Sequence, residues 1–589
     1  MGAALVFLAA FLVYANSINP VFHWEDVDIV SENVHIRTLK NLPVFFRPGY
    51  VNVYEAGQGT RYRPLRSVTL ALDYALWQND ARGYHLTNVL LHCLTAVLVW
   101  LFCLLVSGDP VLAFVAGLLF AVHPAHAESV AWIKNRSDIL CALFYFASAA
   151  AYAAFLRGLA PGRKAGAALC VLSAALLVPA FLAKEMALSA PFVLTLLLLY
   201  LNDKEGKPVL DGWYSLVPHY ALLLVYLLFR EKSMGGGGGF PGGLPAHALF
   251  AAATAGKYLE ILVWPVRLSI ERAVPAGTAG VLAALIALAA ASAVPALYAL
   301  KKREGAFWLA AFFALAVPVL NIIYIPGRPL AEQRLYLPSA AFCAFLAWGA
   351  VLFMRGGAGK IRRAAGIAAV AAAALLLGGR TVYRNLDWKS EVLLWEKTIA
   401  SSPSPRAYNN LAVAFLNEKR YGEAVNAAEL SLKADPAFVD AYNTLGAAYH
   451  DLGLYDKSIT AFERAVFFSS GRAYKSLMNL AALYSLTGRW QEALSVYGQV
   501  IGAAPWLDAA YYNMGLTLAE HGRGDEALRA FREALSLNPY NALAYVMMGR
   551  VYAAKKNAPA AEAAYKEALK LEPSNSEASA YLFRRKRHP

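Results

Sequence analysis

The stretch Phe22-His23-Trp24-Glu25-Asp26-Val27-Asp28 sets three carboxylates directly behind an apolar run, MGAALVFLAAFLVY, that begins at residue 1. Ionisable groups beside a membrane segment are costly, and where they occur they point to function. A carboxylate held there is suited to act as a general base for a hydroxyl, a poor nucleophile unless its proton is removed during attack. Phe22 and Trp24 are the residue types that hold a loop at a membrane–water interface. The bland alternative is a solvated loop that ends a helix.

Other polar motifs share this placement. His123-Pro124-Ala125-His126-Ala127-Glu128 offers two imidazoles and a carboxylate. It lacks the H-E-x-x-H order of a zinc protease helix, so orienting a phosphate or a sugar hydroxyl is preferred to binding a metal. Lys184-Glu185 follows an apolar run and Glu332-Gln333-Arg334-Leu335-Tyr336 precedes one, while Arg63 and Arg66 add cations in the first loop. Arg63, His123, His126, Lys184 and Arg334 are therefore candidates to bind a lipid phosphate, with Glu128, Glu185, Glu332 and Tyr336 in support. Snorkelling anchors are the alternative for the cations. Asn135-Arg136-Ser137 fits a glycosylation sequon but stands too close to the membrane to serve as one. The five glycines at 235–239 lack the G-K-[ST] of a nucleotide loop and read as a flexible linker. Cys93, Cys103, Cys141, Cys170 and Cys343 lie in or against apolar segments and read as packing residues.

The elements that carry these residues are set by composition. The chain has 589 residues, 58% hydrophobic and only 16% charged, far below the roughly 25% charged of soluble domains. It reads as an all-α membrane protein, and the net charge of +14 is explained by basic loops between apolar runs, not by nucleic-acid binding. Runs of about 17–25 residues, enough to cross the hydrocarbon core, lie near 3–20, 85–106, 110–125, 138–156, 166–183, 186–202, 213–230, 277–300, 306–325, 335–354 and 364–381. A further piece at 247–266 contains Lys257, Glu260 and Pro265, and reads as re-entrant or interfacial. Eleven crossings from a cytoplasmic N-terminus put the basic loops on one side. The acidic loop, 123–138, Lys184-Glu185, 326–338 and everything after about 382 then face the other.

Beyond residue 383 a repeat replaces the apolar runs. Ala412, Gly446, Ala481, Gly515 and Gly549 recur every 34 or 35 residues, and Ala424, Ser458, Ala493, Ala527 and Ala561 follow at the same period. This is the pattern of tetratricopeptide repeats, with small residues where two helices of a repeat approach and proline ending the second helix. The expected division is therefore 1–383 for the membrane domain and 384–589 for a capping helix, near Trp388 to Thr398, plus about five repeats. Two residues before the small positions stand Asn410, Thr444, Asn479, Asn513 and Met547. Asn410, Asn479 and Asn513 either grip an extended acceptor chain through their amides or brace neighbouring helices.

Taken in order, W-E-D in the first loop, YRPL (62–65), YHLTNVLLH (84–92), HPAHAESVAWIKNRSD (123–138), Ala183-Lys184-Glu185, EQRLYLP (332–338) and the repeats resemble the transmembrane and tetratricopeptide-repeat O-mannosyltransferases and their bacterial relatives. The resemblance implies a GT-C-type membrane fold and transfer of a sugar, mannose or another hexose, from a polyprenyl- or dolichyl-phosphate carrier to protein Ser/Thr hydroxyls. In that family the first loop carries an acidic pair, usually Asp-Asp, which maps onto Glu25 and Asp26 as the catalytic candidates. The opposed positions of base and leaving group imply inversion. The donor is a lipid-linked sugar, the partners are acceptor proteins held by the repeats, and a divalent metal is left open. The Ala/Gly/Arg-rich composition favours a bacterial inner membrane with periplasmic repeats over an endoplasmic-reticulum membrane. Two other functions stay open: a GT-C enzyme with a lipid or polysaccharide acceptor, and a membrane-anchored scaffold without catalysis.

Overall fold

The computed structural model describes residues 1–47, 62–233, 243–275, 277–320, 330–356, 359–469 and 474–587. The glycines at 235–239, the start of the 326–338 motif and residues 321–325 of one expected span lie outside them. The described residues are helical, with one isolated antiparallel bridge between Arg272 and Leu330. The chain divides into two compact units, Met1–Ser402 and Pro403–Pro589. The division falls later than the 383/384 boundary read from the sequence, so the helix Glu391–Ser401 goes with the first unit.

In the first unit seven helices among the described residues are long and apolar enough to cross a membrane, from Ala81–Ser107 to Lys360–Lys389, and a bent pair brings the number to eight. This is a multi-pass membrane protein. The expected spans at 3–20 and 213–230 occupy the shorter apolar helices Gly2–Ser17 and Trp213–Phe229, and that at 306–325 the helix Arg303–Ala316, so the count of eleven depends on these shorter pieces. The 247–266 piece is part of a helix, Gly243–Val263, that is not among the seven.

The bent pair joins Pro110–Val122 to Pro124–Ala131 at 49°. Pro124 causes the break: it has no N–H to donate and cannot continue the helix. In an apolar setting the carbonyls freed by a break must find other donors. Thr381 Oγ1 donates to the Val122 carbonyl at 2.7 Å, the Tyr14 hydroxyl to that of His123 at 2.9 Å, and His92 Nε2 lies 3.1 Å from that of Ala121. Side chains from three other helices thereby lock the break in place.

The second unit is five helix pairs, from Pro405–Asn417 with Tyr421–Ala434 to Ala542–Ala554 with Ala558–Leu571, followed by a final helix Ser576–Arg587. The period-34 glycines stand where their absent side chains admit a ring. A Cβ on Gly446 would lie 2.8 Å from Phe462, one on Gly515 2.7 Å from Phe531, and one on Gly549 2.8 Å from Tyr565. Gly446→Val and Gly515→Val should each cost about 1–3 kcal/mol by overpacking. The expected outcome is faster limited proteolysis within 403–589, with cleavage in the first unit unchanged.

Candidate functional site

The acidic loop is built from both of its ends. His23 Nε2 lies 3.1 Å from Asn19 Nδ2, and burial pushes the His23 imidazole down to about 4. Trp24 follows with φ 51°, a left-handed conformation rare for a bulky residue and costing roughly 1–3 kcal/mol. Its ring is stacked on Trp132 at 5.0 Å and meets Trp395 edge-on at 5.1 Å.

The two catalytic candidates differ in environment. Asp26 is fully buried; its Oδ1 accepts from the Lys134 N–H at 2.8 Å and its Oδ2 from the His23 N–H at 3.4 Å. Desolvation by burial pushes its carboxyl up to about 8, against the opposing pull of these backbone donors. Glu25 is half-buried and forms an ion pair with the Lys134 ammonium, which lies over the Trp132 ring. Asp26 ties the loop to the segment at 133–134. Glu25 keeps more of its side chain at the surface, 14% against none for Asp26.

Four residues beyond Lys134, Asp138 receives both carboxylate contacts of the Lys184 ammonium, at 2.6 and 2.7 Å. Arg63 pairs with Glu185 at 3.3 Å and adds to the field at Asp138 and Lys184. Arg63, Lys184 and Glu185 thus gather at Asp138, and Glu25 and Asp26 at Lys134, about one helical turn away along the same segment. Between them Arg136 points elsewhere. Fully buried, it contacts Asp73 at 2.6 Å, Asn88 Oδ1 at 2.6 Å and the Tyr84 carbonyl at 3.0 Å.

The other expected site residues are placed apart from this cluster. His123 is buried, with Nε2 3.1 Å from the Leu262 carbonyl and Nδ1 accepting from the Ala125 N–H at 3.2 Å. His126 is buried with Nε2 2.8 Å from Ser339 Oγ, and Tyr336 bonds His92 Nδ1 at 2.7 Å. His123 and His126, expected to contact a donor phosphate, stand beside Pro124 at the helix break with these bonds inside the bundle. Glu128 accepts from the Gln333 N–H at 3.1 Å, and Glu332 receives Arg272 at 3.2 Å, Arg384 at 3.4 Å and the Ser269 N–H. Both carboxylates pin the 332–335 turn. Arg334 is half-buried beside Tyr258. Among the described residues no group of three or more His, Cys, Asp or Glu is arranged to hold a metal ion.

Lys134, Arg136 and Asp138 were missed by sequence reasoning, although the motif containing them was singled out. The available signal was three charges in five residues running into an apolar helix, where each ionised group needs a partner.

In the repeats, Asn410 and Asn513 are half-buried and Asn479 is exposed, and Asn410 Nδ2 is a buried donor without a hydrogen-bond partner. Thr444, at the same register in the second repeat, donates through Oγ1 to Asn409 Oδ1 at 2.8 Å, and Ser485 Oγ lies 3.0 Å from Thr517 Oγ1. Asn479 lines a surface hollow with His450 and Phe462.

A multi-pass helical membrane unit with a charge-paired first loop, continued by a tetratricopeptide-repeat unit, is the class these observations define. The tetratricopeptide-repeat family model matches residues 392–437, 420–476, 476–508 and 512–576. Protein O-mannosyl-transferase Tmtc1 of Drosophila melanogaster is 26% identical, over 74% of this chain and 62% of its own length. Protein O-mannosyl-transferase TMTC3 of Mus musculus is 24% identical over 85% and 60%. The resemblance read from the motifs is borne out, and the chain is a relative of the transmembrane and tetratricopeptide-repeat proteins so named. It spans about three-fifths of the length of the curated relatives it matches. Among solved structures, that of MamA is 24% identical over 28% of this chain and 97% of MamA, with a TM-score of 0.27.

Removing one partner of a buried ion pair typically costs about 3–5 kcal/mol, because the other charge is left stranded. Arg136→Met should therefore lower the thermal midpoint of the detergent-purified protein by several degrees. Asp73→Leu in the same chain should restore most of the loss, a coupling read from the double-mutant cycle.

Proposed function

We propose that the chain is a GT-C-type glycosyltransferase that moves a sugar, mannose or another hexose, from a polyprenyl- or dolichyl-phosphate carrier to Ser/Thr hydroxyls of acceptor proteins. The observation that carries this reading is the shared segment 133–138. It joins the Glu25 carboxylate, through Lys134, to the cation pair Arg63 and Lys184, through Asp138. A base and the positive charge that a departing phosphate requires are thus assembled on one piece of chain. The names of the relatives support the same chemistry.

In the step itself the acceptor oxygen bonds to the anomeric carbon as the bond from that carbon to the phosphate oxygen breaks. The phosphate departs with the electron pair and the hydroxyl proton passes to Glu25. Lys134 orients Glu25 beforehand. Arg63 and Lys184 exchange a carboxylate contact for the phosphate. Attack opposite the leaving group inverts the anomeric centre. Arg334 stands as a second contact for the carrier, and the loops that hold the acids face the non-cytoplasmic side: the periplasm in a bacterium, the lumen in a eukaryotic cell.

Glu25→Gln should reduce transfer by about 10²–10⁴-fold while leaving binding of a labelled polyprenyl-phosphate sugar within about twofold. Near-normal turnover in this variant would refute the role of Glu25. Asp26 behaves differently. Its carboxyl is raised to about 8 in the folded protein, against about 3.9 when unfolded. The loop is therefore most stable below about pH 4 and loses that contribution as pH rises through 8 and Asp26 ionises. Transfer should fall on the alkaline side with an apparent pKa near 8 in the native protein. Asp26→Asn, neutral at every pH, should fold, retain transfer at pH 7 and lose that alkaline decline.

The repeats recruit the acceptor in this reading, with the amides of Asn410, Asn479 and Asn513 bonding to its backbone. Replacing all three with alanine should lower transfer to full-length acceptors about tenfold and spare transfer to a short serine-containing peptide. Equal loss on both substrates would return these residues to bracing.

A further inference from the structure

The segment 386–401 follows the last membrane helix, and the repeat family model begins its match inside it, at residue 392. Its sequence therefore groups it with the repeats. Its contacts do not, since it belongs to the compact unit that ends at Ser402 and it closes on the acidic loop. Asn19 Nδ2 donates to the Trp388 carbonyl at 2.8 Å. The Glu391 carboxylate accepts the backbone N–H of Trp24 at 2.5 Å, and Trp395 meets the Trp24 ring. Ser390 caps the helix that presents Glu391, its Oγ accepting from the Leu393 N–H at 3.2 Å, so the carboxylate is fixed in the first helical turn.

We propose that Glu391 is a positioning residue for sugar transfer. It clamps Trp24 in its left-handed conformation and so aims the next residue, Glu25, towards Lys134 and the acceptor hydroxyl. The inference rests on the reading of Glu25 as the base. Glycine adopts a positive φ freely, whereas a tryptophan there must be held from outside. The ring of Trp24 is held between Trp132 and Trp395, while its backbone N–H is held by Glu391. A contact made only for packing would need the rings alone. The carboxylate instead fixes the main-chain direction one residue before the base, and misplacing a reacting group by about 1 Å can cost 10²-fold in rate. Aim at Glu25 thus depends on a segment that the sequence classes with acceptor-recruiting repeats.

The test uses the full-length protein in detergent, with a labelled polyprenyl-phosphate mannose and a short serine-containing peptide. Glu391→Ala should lower kcat at least tenfold, leaving the KM for donor and the binding of donor within twofold. Glu391→Gln, whose carbonyl oxygen can accept the same N–H, should recover kcat to within about threefold. Trp395→Leu should repeat the alanine phenotype, and decides the matter by the same criteria if Glu391→Ala does not fold. Unchanged kcat in Glu391→Ala, or in Trp395→Leu where Glu391→Ala does not fold, would overturn the proposal. So would a loss shared equally between kcat and donor affinity with no recovery in Glu391→Gln, the mark of a packing role. Glu25→Gln is measured alongside: if it is fully active, the assignment of the base has failed, whereas an inactive Glu25→Gln beside a normal Glu391→Ala removes only the clamp.

Discussion

A charge leaving water must meet its opposite, and in this protein the meeting place is a segment of six residues. Lys134 receives Glu25, Arg136 receives Asp73, and Asp138 receives Lys184, while the main-chain N–H of Lys134 holds Asp26. These pairs connect the first loop, the helix Pro64–Trp77 and the turn after Ala183 to one stretch of chain, and Arg136 adds the helix Ala81–Ser107 through Asn88 and the Tyr84 carbonyl. Breaking such a pair costs more than forming it gains, which makes the arrangement specific. Each element is held where its charge is answered, and apolar packing fills in around it.

Most of the fold was legible in the sequence because apolar length and a 34-residue period are local signals. The helices Ala81–Ser107, Gly162–Ala183 and Gly277–Ala299 fall where the runs fall, and the glycines at 446, 515 and 549 meet the aromatic rings that the period demands. The acidic loop was legible too, since three carboxylates behind an apolar run are rare. What resisted reading was partnership. His123 and His126 flank Pro124, and only the fold reveals that this proline has broken a helix whose carbonyls are met by Thr381, Tyr14 and His92. Lys134 and Asp138 look like loop charges until Glu25 and Lys184 arrive beside them. The helix Glu391–Ser401 carries a repeat signature, yet its buried face, Trp395 among it, packs in the membrane unit. Pairing across 46 residues, as in Asp138 with Lys184, or 109, as in Glu25 with Lys134, leaves no periodic trace.

The break at Pro124 also has a consequence in time. The Val122 carbonyl waits for a hydroxyl at Thr381, 259 residues further along the chain. At a synthesis rate of about 5–20 residues per second, that interval lasts some tens of seconds. During it the broken helix has already left the ribosome with a polar group that lipid cannot satisfy. The nascent bundle must therefore stay hydrated at this point, or be sheltered by the insertion machinery, until the last membrane helix enters and seals it. The donor for this carbonyl thus arrives only with the last membrane helix, Lys360–Asn385.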